Sequence, residues 1–187
     1  MAEYKSINGF TLQDVATDPT INTGQVWYNS ATRAIKLHAA TASGTWATAN
    51  NMGTARYGLA GAGTQTAGLI FAGNGPPLLA TSEEYDGSSW TGGGTMGTAR
   101  YAPTNTIGAS QTAALAVGGS NGVGDFNATE EYNGSSWAGG GNYPISKQAM
   151  AGAGTQTAGL SCGGGGNVTT TNEYGGSSWT AGGALGT

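Results

Sequence analysis

MGTARYGLAGAGTQTAGLIFAGNGPPLLATSEEYDGSSWTGGGT, residues 52–95, is followed by MGTARYAPTNTIGASQTAALAVGGSNGVGDFNATEEYNGSSWAGGGN, residues 96–142. YPISKQAMAGAGTQTAGLSCGGGGNVTTTNEYGGSSWTAGGA comes next, and LGT ends the chain. One unit is written three times. Trp90, Trp137 and Trp179 recur at spacings of 47 and 42, and Gln65, Gln111 and Gln156 at 46 and 45. The length differences fall mostly in one segment, between the glycines near positions 73, 119 and 164 and the Glu-Tyr pair. A repeat that takes insertions in one place and holds its anchors elsewhere is a folded unit with one variable loop.

Each unit predicts four short strands. In the first unit these lie at 56–62, at 66–72, at 81–85 and from Ser89-Trp90 onward. A turn at Gly63-Thr64-Gln65 joins the first two. The run AGLIFAG suits a strand buried on both faces. Asp86-Gly87, Asn133-Gly134 and Gly175-Gly176 belong to the two-residue type I′ set, in which both central residues need positive φ. Four antiparallel strands in 42 to 47 residues have the size of one propeller blade.

Composition is consistent with this unit and narrows its chemistry. Gly (36), Ala (29) and Thr (26) make nearly half of the 187 residues, and Leu, Ile, Val and Phe together number only 23. Gly is too frequent and Leu, Lys, Glu and Arg too scarce for a helical protein. No apolar run reaches the length of a membrane-spanning helix. Six Lys/Arg against ten Asp/Glu, net charge −4, argue against a nucleic-acid binder. The lone Cys162 cannot form an internal disulfide, and with the single His38 it cannot build a zinc site. It reads as a small buried strand residue. No basic and apolar leader opens the chain, so no secretory signal is expected. Catalysis lacks titratable groups: His38 is too little for a copper site or a Ser/His/Asp triad. Adjacent strand residues point to opposite faces, so Glu83-Glu84 and Glu130-Glu131 are not acid/base pairs. In each pair one carboxylate is expected in solvent and the other holding a loop backbone. GGGGN at 163–167 lacks the strand–loop–helix context of a phosphate loop. No enzyme activity, metal or cofactor is expected.

The unit resembles the kelch repeat. A kelch blade carries an Arg leading into the first strand, a Gly-Gly pair closing the second, a Tyr in the third and a Trp shortly after. Here the leading cation is Arg56, Arg100 and Lys147. The glycine pair is Gly118-Gly119 and Gly163-Gly164, with Ala72-Gly73 in the first unit. The aromatic pairs are Tyr85 and Trp90, Tyr132 and Trp137, Tyr174 and Trp179. The resemblance covers 52–187 and weakly 25–51. It implies an all-β, kelch-like β-propeller of four-stranded antiparallel blades: full blades at 52–95, 96–142 and 143–187, and a partial blade at 25–51. In the partial blade Val26-Trp27-Tyr28 and Ile35-Lys36-Leu37 form a hairpin, and Trp46 stands in phase with the later tryptophans. Residues 1–24, polar and with a Pro, read as an extended N-terminal arm. The tryptophans, repeated at one blade position, read as packing residues rather than as sugar platforms.

The segment DPTINTGQVWYNSATRAIKL resembles stretches of phage tail-fibre and head-appendage proteins. That resemblance implies a structural protein of a virus particle, assembled in the host cytoplasm. The arm would attach it to other virion proteins, and the propeller would face outward as decoration or as a module binding a host-surface glycan or receptor. No nucleic acid or membrane insertion is implied, and the protein would be oligomeric in its assembly. The alternatives are a soluble lectin-like propeller and a protein-interaction propeller. The variable loops 74–80, 120–128 and 165–170 are the expected contact surface on one face, through their apolar residues Leu78, Leu79, Val123 and Phe126. Three units and a part leave closure open. A compact four-bladed ring, several chains combining, or later blades of a longer chain would each supply it, the last favoured because ALGT is in phase with the MGT openings.

Overall fold

The structure, a computed structural model, describes residues 3–7, 10–20, 25–37, 47–104, 107–166 and 168–186. His38 and Trp46 lie outside the described residues, so the phase of Trp46 is not addressed. The described residues contain no helix and form four four-stranded sheets. They divide into two compact units, residues 1–48 and 49–187.

In the first unit β1 (Glu3–Ile7) and β2 (Phe10–Val15) form a hairpin. β3 (Val26–Asn29) runs parallel to β2, and β4 (Ala34–Leu37) closes the sheet antiparallel to β3. The hairpin expected at 26–37 is present. The segment before it is not an extended arm, however, because β1 pairs with β2 and β2 pairs with β3 of that hairpin. The described strands of 25–51, β3 and β4, belong to a sheet that differs from the later ones. The parallel β2–β3 step, Gln13 opposite Trp27, gives it a different topology. Asp18 ties the linker to the sheet. Its carboxylate accepts hydrogen bonds from Trp27 Nε1 at 2.9 Å, Asn29 Nδ2 at 2.7 Å and Lys36 Nζ at 2.7 Å. These donors, Lys36 foremost, hold the Asp18 carboxyl down at about 2.

The second unit contains the three repeats as three antiparallel meanders. The first is β5 (Ala60–Thr64), β6 (Ala67–Phe71), β7 (Thr81–Tyr85) and β8 (Trp90–Thr95). The second is β9 (Ile107–Ser110), β10 (Ala113–Val117), β11 (Thr129–Tyr132) and β12 (Trp137–Gly139). The third is β13 (Ala151–Thr155), β14 (Ala158–Cys162), β15 (Thr171–Tyr174) and β16 (Trp179–Ala181). The first strand begins later than its residues suggested. Arg56 and Tyr57 precede it, in a lead-in that bridges the loop at Asn74.

The turn between the third and fourth strands differs from expectation. Tyr85 pairs with Trp90, Tyr132 with Trp137 and Tyr174 with Trp179, so the connection has four residues rather than two. Only the glycine takes positive φ, at 93° in Gly87 and Gly134 and 86° in Gly176. The reason is side-chain competition with the backbone. Asp86 Oδ1 accepts the N–H groups of Ser88 and Ser89 at 2.8 and 2.7 Å, and Asn133 Oδ1 those of Ser135 and Ser136 at 3.0 and 2.9 Å. These donors pull the Asp86 carboxyl well below the ordinary range, Ser89 N–H most of all. This register sets each Tyr directly across from its Trp, with ring centroids 4.9 Å apart in all three sheets.

Two hydrophobic clusters build the core, and both lie between sheets. Leu69, Phe71 and Ala72 of the first sheet pack with Ala114, Ala116 and Tyr132 of the second, and Trp137 covers them. Leu115 and Val117 of the second sheet pack with Tyr143, Met150 and Tyr174 of the third unit, and Trp179 covers them. Alternate residues of the second strand therefore face opposite neighbours. In β10 both faces are covered, and Ala114 through Val117 are all fully buried. Stacking thus buries apolar area that a single sheet of small residues could not.

Candidate functional site

The charged and aromatic side chains of residues 49–187 recur at equivalent places in the three repeats. Each repeat begins with a cation. Arg100 is fully buried, and its guanidinium donates to the carbonyls of Gly118 at 2.8 Å and Ala128 at 3.1 Å while pairing with Glu130. Burial pulls the Arg100 pKa down, and Glu130 opposes that shift. Glu130 Oε2 also accepts Gly97 N–H at 2.6 Å, tying the MGT opening to the third strand. The first repeat has the same arrangement. Arg56 donates to Ala72 O at 3.0 Å and Thr81 O at 2.9 Å and pairs with Glu83 at 2.6 Å, and Glu83 accepts the N–H groups of Gly53 and Thr54. The third unit changes three members together. Lys147 replaces the Arg, Asn172 the Glu and Tyr143 the Met. Lys147 Nζ donates to Gly165 O at 2.9 Å and Asn172 Nδ2 to Tyr143 Oη at 2.8 Å. Losing the long guanidinium and the carboxylate together leaves no buried carboxylate there, and the buried Lys147 ammonium is held by the Gly165 carbonyl rather than by an ion pair.

One carboxylate of each Glu-Glu pair holds loop backbone, as expected. The other is not given over to solvent. Tyr132 Oη donates to Glu84 Oε1 at 2.5 Å, from the second sheet to the first, and Tyr174 Oη donates to Glu131 Oε1, from the third to the second. Burial pushes the Tyr174 hydroxyl up to about 12, with Glu131 adding to the shift. Tyr132 is raised for the same reasons, with Glu84 as its partner. Both hydroxyls are therefore neutral donors at ordinary pH. Two further donors cross each seam. Gln111 Nε2 reaches Gly68 O and Tyr85 O, each at 3.0 Å, and Gln156 Nε2 reaches Ala114 O at 3.4 Å and Tyr132 O at 2.7 Å. Trp137 Nε1 donates to Ser82 Oγ at 3.4 Å and Trp179 Nε1 to Thr129 Oγ1 at 2.9 Å. The recurrence of Gln, Glu, Tyr and Trp in the sequence was the signal for this seam. What it lacked was a way to say that donor and acceptor sit in successive repeats.

The four apolar loop residues separate. Leu79 and Phe126 occupy equivalent positions, both half-buried, and their carbonyls accept the backbone N–H of Arg100 and Lys147. The lead-in of the next repeat is thus held by the loop of the one before. The Phe126 ring also lies 5.7 Å beneath the Arg100 guanidinium carbon. Leu78 is half-buried and bridges Asn74. Val123 stands apart at 96% exposure, on a tip held by Asn121 Oδ1, which accepts the Val123 and Gly124 N–H groups. The loops begin alike in all three repeats: Asn74, Ser120 and Gly165 donate their N–H to the carbonyls of Tyr57, Tyr101 and Gln148. Among the described residues no three His, Cys, Asp or Glu side chains gather as a metal site would require.

No family model matches the chain, and no curated protein sequence matches it.

Proposed function

We propose that the sheets of residues 49–187 are blades of a kelch-like β-propeller, and that the protein is a non-enzymatic structural protein of a virus particle that displays them. The observation carrying this reading is the repeated seam. Gln, Tyr and Trp of one sheet donate to fixed acceptors on the sheet before it, twice over in the same positions. A scaffold of this kind spends its carboxylates, aromatics and buried cations on holding sheets together. It is suited to presenting loops rigidly, and its loops begin from equivalent backbone anchors. The unit of residues 1–48 would join the protein to other virion components. The loops 74–80, 120–128 and 165–170 would meet the host surface, with Val123 as the exposed apolar contact.

The test is the composition of purified particles. Peptides spanning Tyr101 and Trp137, recovered in fixed stoichiometry to the other particle proteins, support the reading. A protein found only free in the lysate and retained on a glycan column by Val123-dependent binding would instead be a soluble lectin.

A further inference from the structure

The third sheet presents an acceptor surface that the first and second sheets use to hold their neighbours, and the first sheet carries the donors that fit it. We infer that this surface is an interface for a second copy of the chain, whose β5–β8 sheet seats on β13–β16. The seat can be read position by position. Leu69 and Leu115, which face the next sheet, are 1% and 0% exposed; the equivalent Leu160 is 39% exposed. It borders a shallow depression of about 380 Å³ also lined by Thr157, Gly159, Glu173 and Tyr174. The Gly159 and Tyr174 carbonyls stand where Gly68 and Tyr85, and then Ala114 and Tyr132, receive a glutamine amide. Glu173 is exposed where Glu84 and Glu131 each receive a tyrosine hydroxyl. Side chains placed at Gly94 and Gly141 would collide with Ser135 and Ser177 of the following sheet, whereas Gly183, their equivalent, faces open space.

The matching donors lie at the other end of the same unit. Gln65 is exposed and has no partner among the described residues, while Gln111 and Gln156 are half-buried. The Tyr85 hydroxyl likewise has no partner among the described residues, whereas Tyr132 and Tyr174 are buried in their seams. Trp90 Nε1 rests on Asn50 O at 3.1 Å, a neighbour within its own unit. Seated on a second copy, Gln65 would donate to Gly159 O and Tyr174 O, Tyr85 to Glu173, and Trp90 to Thr171 Oγ1. Leu185 N–H already fills Thr169 O, as Met96 and Tyr143 fill Ala80 O and Asn127 O. The partner therefore engages from Arg56 onward. Its backbone would pair with Gly164 N–H and Val168 O, which occupy the positions used by Arg100 and Lys147 at the two inner seams. The contact is heterologous, so it must close or polymerise. Propellers close at about four to eight blades, and two copies of the three repeat sheets β5–β8, β9–β12 and β13–β16 fall in that range. This stoichiometry rests on the propeller reading; the complementary seat does not.

The experiment uses the full chain. Native mass spectrometry and sedimentation at micromolar concentration should give a species of twice the 18.4-kDa chain mass. L160E, at a site exposed enough to tolerate the change within one chain, should convert it to a folded monomer, read by an unchanged far-UV spectrum. A disulfide test fixes the faces. In a C162V background, which copies Val117, one chain carries S89C and another G183C, the equivalents of Ser136 and Gly94 across an inner seam. Mixed and oxidised, they should give a crosslinked pair, and neither alone should. A monomeric parent overturns the inference, as does an assembly of any size that is indifferent to L160E and forms no crosslink. Q156A separates the two readings. If it lowers the melting temperature by about 3 °C while the parent is monomeric, the stacked repeat stands and only the second copy falls. If it leaves the melting temperature unchanged, the seam and the propeller reading fall as well.

Discussion

Replacing Glu130 by alanine should be among the most damaging single changes in the second unit. The carboxylate neutralises a guanidinium that is fully buried and accepts Gly97 N–H at 2.6 Å. Its removal leaves Arg100 with only the Gly118, Ala128 and Thr98 carbonyls, and orphans one backbone donor. Breaking one side of a buried ion pair costs about 3–5 kcal/mol, most of it the desolvation of the charge left behind. For a unit of this size that is a fall of roughly 10 °C in melting temperature. The third unit indicates how the loss can be softened. Its Lys147 and Asn172 do without the pair, so R100K/E130N should cost less than E130A alone. Urea titration followed by tryptophan fluorescence, with Trp137 packed in the adjoining cluster, reads the difference. An E130A cost below about 1 kcal/mol, or a double variant whose cost equals the sum of R100K and E130N, would refute the buried-pair reasoning.

Other perturbations test the remaining links. The Tyr174 hydroxyl is raised from about 10 to about 12; its contribution is full below pH 10 and is lost as pH rises through 12, about 2–3 kcal/mol in all. Y174F should flatten the alkaline limb of the stability–pH profile, and an unchanged limb would exclude Tyr174 as its source. Ala72 sits at φ 61°, where the other units place Gly118 and Gly163 at 63° and 68°. A72G relieves a left-handed alanine, worth about 1–2 kcal/mol, while losing a buried methyl of the first cluster and gaining unfolded-state freedom, so it should change stability by less than about 1 kcal/mol in chemical denaturation, and a loss of about 2 kcal/mol or more would contradict the strain. Gly175 occupies the position of Asp86 and Asn133 without their carboxylate or amide clamp. G175N should gain about 0.5–1 kcal/mol, and loss of stability would show that the third turn is shaped differently.

The repeat was legible because it is local. Strand positions at 66–72 and 81–85, the Gly punctuation and the Tyr/Trp phase follow from side-chain period and turn chemistry, and β6 and β7 fall at those places. The four-residue turn was not legible, since Asp86 and Asn133 serve equally in two-residue loops; only the pairing of Tyr85 with Trp90 decides. The N-terminal segment was misjudged because a largely polar stretch with a Pro looks like an arm until a partner is present, and Val26–Asn29 supplies that partner in parallel. Of the loop residues, Val123 is placed as exposed, while Leu78, Leu79 and Phe126 are partly enclosed by backbone that the sequence could not bring near. The burial of the repeats is the sharpest case. AGLIF predicts a strand with two covered faces, yet of β6 and its equivalents β10 and β14 only β10 is covered on both sides, and Leu160 remains open. Sequence sets the pattern of a strand, because side chains alternate along it. Which face leaves water depends on the sheet stacked against it, and only the tertiary structure decides that.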